Sequence, residues 1–226
     1  MSKLVFDAIG RHFYETGVDH GVLFRMNEAG NGYETGVAWN GLSAVSESPE
    51  GAEESAIFAD NIKYLSLRSA ENFKGTIEAY TYPDEFEACD GSAELSRGIK
   101  VAQQARRAFA FCYRTKVGTD LNPEYGYKLH IIYGATAAPS ERSRATVNDS
   151  PEAMTMSWEI STTPVAVTGY KPTAHVEIDS TKISATALGL IEDKLYGTDS
   201  PTADSTLLTP DEIVALVAGQ NDSSDE

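Results

Sequence analysis

The chain has 226 residues and a formal net charge of −16, from 18 Lys and Arg against 34 Asp and Glu. Affinity for phosphate comes from Lys and Arg, so this balance excludes sequence-specific duplex binding. A hydrophobic content of 41% and a charged content of 23% are those of a globular chain long enough to bury a sizeable core. No run of about 18 apolar residues marks a membrane span, and the start, "MSKLVFDAIGRHFYETG", lacks a signal-peptide core. Synthesis in the cytoplasm is therefore expected. The two cysteines, Cys89 and Cys112, make no disulfide framework, and reduced thiols are the expectation.

Strand patterns dominate in chain order. "GVLFRM" (21–26) is short and apolar, and "TGVAW" (35–39) puts Val37 and Trp39 on one face. "GNG" at 30–32 reads as a turn between them. "IKYLSLRS" (62–69) and "FKGTIEAYTY" (73–82) alternate, the second with Phe73, Ile77 and Ala79 opposite Lys74, Thr76 and Glu78. "RAFAFCYRTKV" (107–117) places Phe109, Phe111 and Tyr113 on one side and Ala108, Ala110 and Cys112 behind. "YGYKLHIIYG" (125–134) and "AHVEID" (174–179) follow the same rule. In "AMTMSWEIST" (153–162), Met154, Met156, Trp158 and Ile160 face inward, and Thr155, Ser157, Glu159 and Ser161 face out. A side-chain period of two means half-buried strands and a mainly β protein. Trp158, Met156, Ile160, Phe109 and Phe111 are the candidate core.

Helices are few. "PDEFEAC" (83–89) opens with Pro and two acids, which suit a helix N-terminus. "SATALGLIEDKLYG" (184–197) spaces Leu188, Ile191 and Leu195 along one face and stops at a glycine. "TPDEIVALVAG" (209–219) carries a capping box, with Thr209 as cap and Glu212 three residues on. Residues 1–200 are read as the main domain, and 201–226 as an added helix followed by an acidic tail expected to be disordered. The segments 40–56, 90–106, 134–152 and 162–173 read as long linkers. The middle of the first, "SESPEGAEES", is acidic and poor in side chains that could build a core.

Charge is segregated along the chain. Between residues 95 and 144 nine basic residues (Arg97, Lys100, Arg106, Arg107, Arg114, Lys116, Lys128, Arg142 and Arg144) meet only three acids, and the remainder is strongly acidic. No catalytic or metal-binding constellation stands out. His12, His20, His130 and His175 are scattered, without the i, i+4 or Cys-x-x-Cys spacing of a metal site. No nucleophile elbow, P-loop or dinucleotide glycine motif is present. Glu47, Glu50, Glu53 and Glu54 lie in a segment without the apolar scaffold that separates the pKa values of an acid pair. The expectation is a non-enzymatic protein with no cofactor.

Five separated blocks carry a resemblance: "GVAWNGLSAVSESPEGAEESAIFADNIKYL" (36–65), "GTIEAYTYPDEFEACDG" (75–91), "RRAFAFCYRTKVG" (106–118), "YGYKLHIIYGATAAPSERS" (125–143) and "WEISTTPV" (158–165). In this order they resemble the major tail protein, or tail tube protein, of long non-contractile-tailed bacteriophages. The resemblance implies a β-sandwich or barrel of antiparallel strands with one or two flanking helices. Six copies would form a ring whose strands join an inner β-barrel, and the rings would stack into a virion tail tube assembled in the host cytoplasm. The implied partners are further copies of the chain, the tape measure protein, the tail terminator and distal tail proteins, and double-stranded DNA that passes without being bound by sequence.

The physics of a conduit is consistent with that implication. If each of six copies gave four strands, 24 strands spaced ~4.8 Å and tilted ~40° would have a backbone diameter of about 48 Å. Side chains would leave a bore of roughly 35–40 Å. An acidic wall repels phosphate, and Glu78 and Glu159 are the candidate lumen residues. The 40–56 segment is expected to be a loop that reaches a neighbouring copy. Glu47, Glu50, Glu53 and Glu54 on it would meet Arg97, Arg106, Arg107, Arg142 and Arg144 of the basic segment. Two other classes compete. One is a surface or secreted β-sandwich binding carbohydrate or protein through Trp39, Trp158 and tyrosines. The other is a small hydrolase using Glu53 or Glu54.

Overall fold

A computed structural model describes residues 4–51, 53–146, 149, 153–199 and 201–221. Strands come first: β1 (Phe13–Arg25), β2 (Val37–Trp39), β3 (Leu42–Glu47), β4 (Glu50–Gly51), β5 (Glu54–Ala59), β6 (Ile62–Arg68), β7 (Glu71–Asn72) and β8 (Lys74–Ala79). A 3-10 turn (Asp84–Phe86) leads into the one-turn helix α1 (Glu87–Asp90) and the hairpin β9 (Ala93–Ser96) and β10 (Ile99–Val101). The long strands β11 (Phe109–Thr119) and β12 (Gly126–Ala137) follow, then β13 (Met156–Thr162) and β14 (His175–Asp179). The chain ends with α2 (Ala185–Tyr196), the short pair β15 (Thr198–Asp199) and β16 (Thr202–Ala203), and α3 (Pro210–Asn221). The fold is mainly β and antiparallel throughout.

One sheet of order β2-β1-β11-β12-β13-β8-β3 folds over on itself, with β14 added beside β12. The corner lies in β12. Residues 128–132 pair with β14, and residues 135–137 pair with β13. Between them sits Gly134, at φ +58°, where a Cβ would lie 2.4 Å from the carbonyl oxygen of Thr163. Only glycine fits such a bend. The result is a sandwich in which β13, β8 and β3 pack across the aromatic face of β1 and β11.

The central strand β11 is buried on both sides, and its alternation separates two cores. Phe109, Phe111 and Tyr113 point into the sandwich with Leu23, Trp39, Ile77, Phe86, Met156, Trp158 and Ile160. Trp39 lies at the centre, with ring centroids 4.5 Å from Phe86, 5.3 Å from Phe111 and 5.6 Å from Trp158. Both indoles also satisfy their N–H. Trp39 donates to the carbonyl of Thr81 (2.8 Å) and Trp158 donates to Asp90 (3.2 Å). On the opposite side, Ala110, Cys112, Leu129 and Ile131 meet Leu188, Ile191 and Leu195 of α2 and Leu208 and Ile213 around α3. Small side chains on β11 let the helices approach.

The helices end as their sequences dictate. Ser184 accepts from the Ala187 N–H (3.2 Å), and Gly197 stops α2 at φ +78°. Glu212 accepts from Thr209 N–H (2.8 Å), closing the capping box before α3. α3 shares the second core, and the Tyr133 hydroxyl donates to Leu208 O (2.8 Å), so residues 201–221 complete the sandwich rather than hang from it. The expected disorder at 222–226 lies outside the described residues.

Four expectations need correction. The supposed linker 40–56 contains β3, β4 and the start of β5. The supposed linker 90–106 holds the β9–β10 hairpin. The first strand starts at Phe13 rather than Gly21, because Phe13–Thr16 pair with the far end of β11. Met154 precedes β13 and is exposed instead of facing inward. In the first three, ladder hydrogen bonds to a partner distant in sequence override weak local patterning.

Candidate assembly surfaces

The segment expected to be a loop is half of one long β-ribbon. β3 pairs with β8, β4 with β7, and β5 with β6, in one continuous antiparallel progression from Leu42 to Ala79. Asp60 and Asn61 close it, both with positive φ (+51° and +64°). Two such residues between matched strands make the tight turn whose twist suits a hairpin. The near half, β3 and β8, belongs to the sandwich. Among the described residues, the strands of the distal half, β4 to β7, pair only with one another. From Gly51 to Asp60 the ribbon extends roughly 30 Å at ~3.3 Å per residue.

This distal half is apolar where a free surface would be polar. Phe58 is 68% exposed, Tyr64 67%, Ile62 64% and Leu67 56%. Ile57 opposes Leu65 and Ser55 opposes Leu67, so Ile57, Leu65 and Leu67 share one face. Acids and bases pair along the ribbon itself. Glu50 meets Lys74 (2.6 Å), and Glu54 contacts Lys63, Ser66 and Arg68. Lys63 and Ser66 hold the Glu54 carboxyl below its ordinary range, the reverse of what a general acid needs. Glu53 is exposed. A two-stranded ribbon alone is marginal in water, and a bare apolar edge is a pairing surface.

A second apolar exposure lies near the N-terminus. Leu4, Val5, Phe6 and Ile9 are each at least 75% exposed. Phe13 and Tyr125, also exposed, touch edge to face at 5.4 Å.

A third surface is polar. β3, β8, β13 and the end of β12 form four adjacent strands. Their inner face carries Val45, Ile77, Ala79, Met156, Trp158 and Ile160. Their outer face presents Ser46, Lys74, Thr76, Glu78, Ser157, Glu159, Ser161 and Thr136, all exposed or half-buried, with Lys74 paired to Glu50 (2.6 Å). The two lumen candidates, Glu78 and Glu159, thus lie on one face of adjacent strands, Glu78 opposite Ser157 and Glu159 opposite Thr76.

The nominated basic residues divide. Arg106 donates to Ala137 O (3.0 Å) and lies 3.7 Å from Asp90, whose other oxygen contacts Arg142. Arg107 contacts Glu28 and lies 3.6 Å from Glu34. These three arginines tie α1 and the loops around it to the body, whereas Arg97 and Arg144 are exposed. Elsewhere in the basic segment, Arg114 pairs with Asp19 (2.8 Å) and Lys128 with Glu15 (2.9 Å) and Glu177 (3.1 Å). Much of the segregation seen along the sequence therefore cancels within the fold. Burial pushes both thiols, Cys89 and Cys112, up to about 12, so neither is a nucleophile.

Two histidines that look unrelated in sequence are neighbours. Pairing of β12 with β14 puts His130 opposite Glu177 and Ile132 opposite His175. The two rings lie edge to edge and nearly coplanar, with His130 Nδ1 hydrogen-bonded to His175 Nε2, centroids 5.4 Å apart and planes 8° apart. Glu47, nominated as a subunit contact, instead turns toward this pair and accepts a hydrogen bond from the Tyr113 hydroxyl. Spacing could not reveal the cluster, because its three members sit on strands joined only by topology.

No family model matches the chain, and no curated protein sequence matches it. Among solved structures, the chain is similar to one from a cryo-EM structure of the anti-feeding prophage baseplate, 6-fold symmetrised. The TM-score is 0.35 and the identity 11%, over 77% of this chain and 97% of the other. Values of that size establish neither a shared family nor a shared role.

Proposed function

We propose that this protein is a structural subunit of a phage tail, the tail tube protein, and not an enzyme. Copies join into hexameric rings, the rings stack, and the tube conducts double-stranded DNA into the host. The observation that carries the reading is the distal ribbon, 50–72, which projects from the sandwich with Phe58, Ile62, Tyr64 and Leu67 bare. Burying apolar side chains is worth about 25 cal/mol per Å², and this ribbon has none of its own body to bury them against. These two apolar surfaces, ribbon and N-terminal segment, differ. A contact between unlike surfaces is heterologous, and heterologous contacts generate rings or helical tubes rather than closed dimers.

The four-stranded polar face supports the conduit part of the reading. Six copies of four strands suit the bore estimated above, and a wall of Ser, Thr and Glu, with Lys74 neutralised by Glu50, holds passing phosphate weakly. On this reading the protein resides in the virion tail. Its partners are its own copies, the tape measure protein, the terminator and the distal tail proteins. The test is assembly of a double variant, Leu65→Asp with Leu67→Asp. It should remain a folded monomer under conditions where the parent forms rings or tubes. Equal assembly of both proteins would overturn the reading.

A further inference from the structure

We propose that Glu47, His130 and His175 form a binding site for a divalent transition-metal ion, Zn2+ in the first instance, at the root of the ribbon.

The donor geometry carries the proposal. His130 Nδ1 lies 3.2 Å from His175 Nε2, and Glu47 Oε1 lies 3.5 Å from each of them. Four ligands at about 2.0–2.1 Å in a tetrahedron have edges of about 3.3–3.4 Å. The three donors therefore already form one face of such a tetrahedron. Two imidazoles and one carboxylate suit Zn2+ and its first-row neighbours, and Mg2+ or Ca2+ would instead need a shell of oxygens. Three protein ligands leave a fourth position for water.

The surroundings hold His130 in the form a metal needs. Thr115 Oγ1 donates to Glu15 (2.5 Å) and lies 3.0 Å from His130 Nε2. With its proton committed to Glu15, the hydroxyl accepts from His130 Nε2–H. That fixes the tautomer in which Nδ1 carries the lone pair facing the cluster. Tyr113 donates to Glu47, and its ring stacks on His130 at 4.7 Å. Phe73 stacks on His175 at 4.9 Å. Glu15, Glu177 and Lys128 complete the charged surroundings. His175 also lines a cleft of about 1000 Å³ with Phe73, Pro164 and Tyr170, which gives an ion a way in.

The position gives the site a consequence. Glu47 is the last residue of β3, where the ribbon leaves the body, while His130 and His175 belong to the opposite layer. An ion there would staple the two layers together and fix the base of the ribbon.

The experiment is titration of metal-stripped full-length protein. Calorimetry with Zn2+ should give one equivalent per chain. Co2+ should give the intense visible bands of a tetrahedral site, and Zn2+ should raise the thermal midpoint, since a ligand of the native state stabilises it. Glu47→Gln preserves shape and the Tyr113 contact and should weaken Zn2+ binding about tenfold or more, as should His175→Gln. His12→Gln, at the separate cluster with Asp120, should change nothing. No Zn2+ binding by the parent would overturn the proposal and leave a hydrogen-bonded histidine pair. Equal affinity in the parent and Glu47→Gln would overturn it as well, whether or not the His175 variant folds.

Discussion

Single residues decide how the two cores hold. Trp158 is fully buried, contacts the rings of Trp39, Tyr82 and Phe86, and donates to Asp90. Trp158→Ala leaves a large cavity and removes one of the donors to Asp90, and should cost about 3–5 kcal/mol in denaturant unfolding. An unchanged midpoint would mean that the core relaxes around the gap. Asp179 shows a pH effect. Burial raises its pKa, but hydrogen bonds from Thr181 and the nearby Lys182 outweigh burial and bring it to about 2. A carboxyl depressed in the folded state contributes stability that is full above its unfolded value near 4 and is lost as pH falls towards 2. Asp179→Asn should therefore lower stability at about pH 6 and flatten its decline between about pH 4 and 2. A decline as steep as that of the parent would assign it to other carboxyls.

At the scale of elements, the ribbon is the most consequential. Its distal half should contribute little to the stability of a single copy, because among the described residues β5 and β6 pair with no other strand. Replacing 52–70 by a two-residue turn should leave the thermal midpoint within a few degrees while abolishing self-association, measured by sedimentation. A large loss of midpoint would make the ribbon part of the core instead. Much of the sandwich was legible from alternation: 107–117, 125–134, 156–162 and 174–179 all have aromatic or branched residues on one face. The capping box at Thr209 and the stop at Gly197 were equally plain. The ribbon was obscured because "SESPEGAEES" has no apolar period for β3–β5 to announce themselves. The surviving signal was Asp60–Asn61, turn residues tolerant of positive φ, set between segments of matching length. The Glu47–His130–His175 cluster and the internal pairing of Arg106, Arg107 and Arg142 depend on contacts 16 to 128 residues apart in sequence, which no local pattern records.

For the whole molecule, the acidic balance and the polar four-stranded face carry the conduit claim. Glu159→Lys should leave assembly intact, because the side chain lies on the outer face of β13 and no ion pair among the described residues engages it. It should slow genome passage, measured as DNA release from particles carrying the variant, since a cationic wall holds phosphate. Release at the parental rate would place Glu159 outside the bore.

The central claim is that this chain builds a tube from its own copies. Negative-stain electron microscopy of the concentrated full-length protein tests it most directly. Rings or stacked tubes with an open bore of roughly 35–40 Å are expected, the width that six four-stranded faces enclose. Single particles of one-copy size at every concentration would contradict it.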